Sequence, residues 1–64
     1  MRLAMKVQRL RATRGLTQAA LAKKSKLHLV TVGKIEAGMV KNPDLLTRKK
    51  LAKALGVPIT DLLD

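Results

Sequence analysis

A chain of 64 residues without a single Phe, Tyr, Trp or Cys must build its core from aliphatic side chains alone. A domain this small buries only about 60% of the surface its unfolded chain exposes, so that core is thin. No disulfide can brace it, and a cysteine zinc site is excluded. The single histidine, His28, cannot make a metal site alone, so neither a metal nor a cofactor is expected. Leu and Ala lead the apolar set, and both favour helices.

The spacing of the apolar residues agrees with that preference. Leu3, Val7 and Leu10 recur at four and three, which predicts a first helix over Arg2 to Arg14, ended by Gly15. Thr17 is a candidate N-cap for a second helix, Gln18 to Lys24, with Leu21 and Ala22 facing inward. Ser25, Lys26 and Leu27 then make a short turn. A third helix is predicted from about Leu29 to Ala37, with Val32 and Ile35 on its buried side and Gly38 as its stop. Met39 to Pro43 reads as a loop. A fourth helix begins near Asp44 or Leu45 and ends at Leu55 before Gly56, burying Leu45, Leu51, Ala52 and Leu55. After Pro58 a last helix is expected, with Thr60 as N-cap, Asp61 in its first turn, and Leu62 and Leu63 as anchors. The expectation is an all-α fold of five short helices, one domain over residues 1–64, with no strand, linker or repeat. Leu21, Leu27, Val32 and Ile35 would fill the wedge between helices two and three, and Ala22 would let them cross closely.

Fourteen Lys and Arg against four acids give a formal net charge of +10, a large field on so small a domain. The expected partner is a polyanion, either nucleic acid or an anionic membrane surface. No apolar run approaches the roughly 20 residues that span a bilayer. The charged start, with Arg2, Lys6, Arg9, Arg11 and Arg14, has no apolar stretch of the kind a secretory signal carries, so the cytoplasm is the expected compartment. Two helices joined by a three-to-four-residue turn inside so basic a chain point to the helix-turn-helix manner of entering the major groove.

The residues that carry a resemblance are Gly15-Leu16-Thr17-Gln18, Leu21-Ala22, Val32 and Ile35-Glu36-Ala37-Gly38. Asn42-Pro43, the run Leu51 to Val57 and Asp61-Leu62-Leu63 extend it. Over nearly its whole length the sequence resembles the Cro and lambda-type phage repressors, the XRE family. That resemblance implies a lambda-repressor-like DNA-binding domain whose helix-turn-helix is helices two and three. It implies that Gln18 meets a phosphate and braces the first base-reading residue, with Thr17 beside it at the helix start. It also implies a structural pair between Arg11 and Glu36, the first acid in the chain. Base contacts would fall to the outward positions of helix three: His28, Leu29, Val30, Gly33 and Lys34. Lys34 can donate to guanine O6 or N7, and Leu29 and Val30 can touch a thymine methyl. His28 is placed to cap helix three, to reach a phosphate, or both.

The sequence departs from the family at this point. Leu29 and Val30 are apolar where relatives carry polar residues, Gly33 has no side chain, Lys26 stands where the turn usually has glycine, and Ser25 replaces an apolar residue. Phosphate contacts are expected from Thr17, Gln18, Lys26, Lys41 and Asn42, with Lys23 and Lys24 flanking the turn. The run Arg48-Lys49-Lys50 is either a phosphate grip or a solvated face.

The first reading is thus a transcriptional regulator that binds double-stranded DNA, as a homodimer on half-sites about 34 Å apart, with Val57 to Leu63 as dimer surface. A second is an antitoxin binding DNA and a protein toxin, with Leu29 and Val30, or Met39 and Val40, as the protein-binding patch. A third is a cationic membrane-active peptide, against which the glycine stops and threonine caps argue. Enzymatic activity is not expected. Asp44, Asp61 and Asp64 fall at helix starts or the terminus, Glu36 is paired, and no nucleophile–base set remains.

Overall fold

A computed structural model describes residues 2–63, so Asp64 lies outside the described residues. Four α-helices run in order: α1 (Leu3–Thr13), α2 (Gln18–Ser25), α3 (Leu29–Glu36) and α4 (Leu45–Leu55). A short 3-10 turn, Ile59–Leu62, takes the place of the fifth helix. The all-α class holds, and the described residues form no strand. The core is one cluster that includes Leu3, Val7, Leu21, Ala22, Val32, Ile35, Leu51, Ala52, Leu55 and Leu62, with Leu10, Leu16 and Leu27 packed against it. Each fully buried Leu, Ile or Val removes apolar surface worth about 1.5–3 kcal/mol.

The helix ends follow from local chemistry. Gly15 and Gly56 take left-handed backbone, φ +68° and +70°, which a glycine adopts without strain. Thr17 Oγ1 accepts from the Ala20 N–H at 3.0 Å, and Asp44 Oδ1 accepts from the Thr47 N–H at 2.8 Å. Hydrogen bonds from Thr47, side chain first and then backbone N–H, hold the Asp44 carboxyl below its ordinary range, since they favour the charged form.

The turn between α2 and α3 departs from the usual solution. Lys26 takes left-handed backbone at φ 60°, the one such non-glycine residue among those described. Its N–H donates to Lys23 O and that of Leu27 to Ala22 O, which closes α2. Ser25 is buried, and its hydroxyl is absorbed by donation to Leu21 O at 2.7 Å. A buried serine and a left-handed lysine thus stand in for the apolar residue and glycine.

Three expectations at the C-terminal end are corrected. Leu45 is 56% exposed rather than inward, because it begins α4 beyond the edge of the core. Its inward stripe starts instead with Arg48, 8% exposed. Thr60 caps nothing: Pro58 holds the N-cap position of the 3-10 turn, without a side-chain cap bond. Leu62 is buried, but Leu63 is 46% exposed and anchors little.

Two outcomes follow for stability. Lys26→Gly removes a left-handed Cβ and should stabilise the fold by about 1 kcal/mol, seen as a rise in Tm of roughly 4–8 °C. The Asp44 carboxyl should titrate below the ordinary aspartate value by NMR. A depressed folded pKa gives stability that is present above the unfolded value and lost as pH falls through the folded one. The stability gap between wild type and Asp44→Ala should therefore shrink in that acid window and stay constant above it.

Candidate nucleic-acid interface

The interface is oriented by a buried carboxylate. Glu36, the last residue of α3, is buried in a chain of net charge +10. Arg11 of α1 grips it in fork geometry, Nε to Oε2 at 2.7 Å and Nη2 to Oε1 at 3.0 Å. Arg11 Nη1 donates to Leu16 O at 2.8 Å, tying down the segment between α1 and α2. Gln18 of α2 donates from Nε2 to Glu36 Oε1 at 3.1 Å, and Gln8 of α1 donates from Nε2 to the Glu36 carbonyl. The hydrogen bonds to Glu36 raise the Arg11 guanidinium further above its already high ordinary value. Three helices thus meet on one acid, and the charge-assisted bonds are of the strong kind.

With Val32, Ile35 and Glu36 turned inward, the opposite side of α3 faces out. Leu29 and Val30 are 50% and 65% exposed, and His28 and Lys34 are exposed with them. His28 holds the N-cap position, but its side chain makes no cap hydrogen bond, so the capping reading is dropped. Gly33 lies inside α3 with ordinary backbone, and a Cβ there would meet only Gln18 Oε1, at 3.9 Å, among the described residues. The packing of the chain therefore has room for a side chain at Gly33. A helix-interior glycine costs about 1 kcal/mol relative to alanine.

The residues expected to meet phosphates differ in how far their polar groups are already engaged. Thr17 spends its oxygen on the α2 cap. Gln18 uses one amide hydrogen on Glu36, and its amide nitrogen carries a second. Lys26 and Lys41 are exposed. Asn42 accepts from Arg48 Nη2 at 2.9 Å through Oδ1, which leaves its amide nitrogen as a donor. Arg48 itself is neither a grip nor a solvated residue. It is buried, and it donates from Nε to Pro43 O at 3.0 Å and from Nη1 to Leu62 O. It binds the loop after α3 to the C-terminal turn. Spacing identified neither Arg48 nor Gln8, because both act through backbone carbonyls of residues distant in sequence, and no local pattern marks such bonds.

A family model described as helix-turn-helix matches residues 7–62. The chain belongs to the helix-turn-helix family, of the XRE type. The matched residues take in α2, α3, α4 and the 3-10 turn, and most of α1. No curated protein matches the chain. The domain is accordingly a DNA-binding helix-turn-helix regulator. Among the described residues no three His, Cys, Asp or Glu come together as a metal would require. No described helix is long and apolar enough to cross a membrane.

The carboxylate cluster yields a direct test in the helix-turn-helix domain. Arg11→Ala strands the buried Glu36 charge and should cost about 3 kcal/mol of stability in urea unfolding, whereas Glu36→Gln, which leaves no buried charge behind on α3, should cost less.

Proposed function

We propose that the domain regulates transcription as a sequence-specific, phage-repressor-type protein that lays α3 in the major groove. The observation that carries this reading is the division of α3. One side is committed to the core and to Arg11, Gln8 and Gln18, while His28, Leu29, Val30 and Lys34 stand exposed on the other. Lys34 is the residue for a guanine edge, with donors suited to O6 and N7. Leu29 and Val30 are the apolar contacts, and Gly33 lies between them and Lys34. Thr17, Gln18, Lys26, Lys41 and Asn42 surround the face with groups for the sugar-phosphate strands, which position the helix without reading sequence.

A homodimer on two half-sites about 34 Å apart suits a domain of this size, which alone covers one half-site. The exposed Leu63, within the segment Val57 to Leu63, is the surface assigned to it. An antitoxin reading draws on Met39, 71% exposed beside the end of α3. It requires a protein toxin that copurifies with the domain and competes with or joins DNA. The membrane-active reading needs helices free of one another, and the shared core with its buried carboxylate favours the packed domain instead.

Selection of bound sites from random duplex DNA, at stated salt, tests the proposal. Lys34→Ala should weaken binding to the selected site more than to random duplex. Lys41→Ala should weaken both alike and flatten the salt dependence by about one unit. Equal losses in the two variants would remove Lys34 from base reading. Amide shifts that leave residues 28–34 undisturbed on addition of duplex would overturn α3 as the groove helix.

A further inference from the structure

The outer face of α3 is apolar where a hydrogen-bonding code needs polar groups. Of the polar side chains on α3, Thr31 is half-buried and Glu36 is held by Arg11, which leaves Lys34, with His28 at the N-cap, to hydrogen-bond outward. Leu29 and Val30 supply the rest of the exposed surface. Gly33 lies four residues after Leu29 and three after Val30. Helical side chains lean toward the N-terminus over the preceding turn, so a long side chain at Gly33 would lie over these two residues. The fold does not need the glycine, since a Cβ there would meet only Gln18 Oε1 at ordinary contact distance. Its effect is to leave an aliphatic pair uncovered and open to close approach from outside.

The net charge of +10 and the exposed Lys26 and Lys34 select a polyanion as the body that approaches, continuous with the interface described above. On the base edges of the major groove the aliphatic group is the pyrimidine C5-methyl, carried by thymine and absent from cytosine. Methylation of cytosine at C5 puts the same group in the same place. We propose that Leu29 and Val30, given clearance by Gly33, read pyrimidine C5-methyl groups, so that thymine and 5-methylcytosine are both accepted and binding responds to cytosine methylation. The inference rests on α3 being the groove helix.

The test uses the intact protein and the duplex obtained by selection. Replacing each thymine of the half-site in turn by deoxyuridine should weaken binding about fourfold at one or more positions, the worth of one buried methyl. At such a position 5-methylcytosine should bind more tightly than cytosine by a similar factor. Leu29→Ala with Val30→Ala should abolish both differences. Gly33→Ala should raise Tm by several degrees, which shows that the fold does not need the glycine, and Gly33→Met, which reaches over the pair, should weaken the thymine duplex more than the uracil duplex. Uracil binding as well as thymine at every position, or a thymine preference that survives the paired alanine substitutions, overturns the inference while selection of a defined site leaves the groove reading intact. Failure of the wild type to bind any duplex overturns both.

Discussion

The buried carboxylate of Glu36 is the constraint on which the orientation of the domain depends. Aliphatic packing of Leu21, Val32 and Ile35 brings α2 and α3 together, but burial is not directional and tolerates rotation of a helix about its axis. The bonds from Arg11, Gln18 and Gln8 are directional and arrive from two other helices. An eight-residue helix has little length over which packing alone can set its angle. Fixing its last residue to α1 and α2 therefore fixes which side chains at its start face solvent. The same network couples interface and core, because Gln18 both binds Glu36 and lies beside Gly33.

Arg48 plays a comparable part at the other end of the molecule, by different physics. It is buried without a carboxylate partner among the described residues, and its charge is met by the carbonyls of Pro43 and Leu62 and by the Asn42 side chain. Burying a cation is costly unless its donors are satisfied, and here the fork geometry of the guanidinium satisfies three separate acceptors. Leu62 is drawn onto the core as the 3-10 turn closes, and the loop after α3 that carries Lys41 and Asn42 is held to α4. A leucine at this position would fill space but hold no loop.

Those two clusters mark the boundary of what was legible in the sequence. Helices, stops and one cap were readable at Gly15, Thr17 and Gly56, because each obeys a rule spanning four residues or fewer, whereas Asp44 was read as a helix start and not as its cap. The inward residues of α2 and α3 were readable because both ends of their stripe lie over the core. At α4 the spacing pointed equally to Leu45 and could not show that the core stops short of it. Thr60 looked like a cap because periodicity does not distinguish a 3-10 turn opened by proline from an α-helix opened by threonine. At the interface, Lys34 and the exposed Leu29 and Val30 followed from helix phase alone. Arg48 and Gln8 did not, since a cation in a basic run or a glutamine on a surface helix has no local feature that names a distant carbonyl.

Two residues conflict with the fold around them, one in the turn before α3 and one inside that helix. Lys26 puts a side chain where left-handed backbone favours none, and Gly33 omits one where helical backbone favours it. Each choice costs the free domain stability, and each reversal fits the structure without a clash. Local rules and the fold agree almost everywhere else, so such disagreements single out positions shaped by something outside the chain. Lys26 adds charge beside the start of α3, and Gly33 removes bulk from its outer face. Charge at the rim and clearance at the centre suit the proposed seating of the helix between two phosphate strands. The directional bonds to Glu36 and Arg48 give so small an aliphatic core the hold on its helices that lets it keep both.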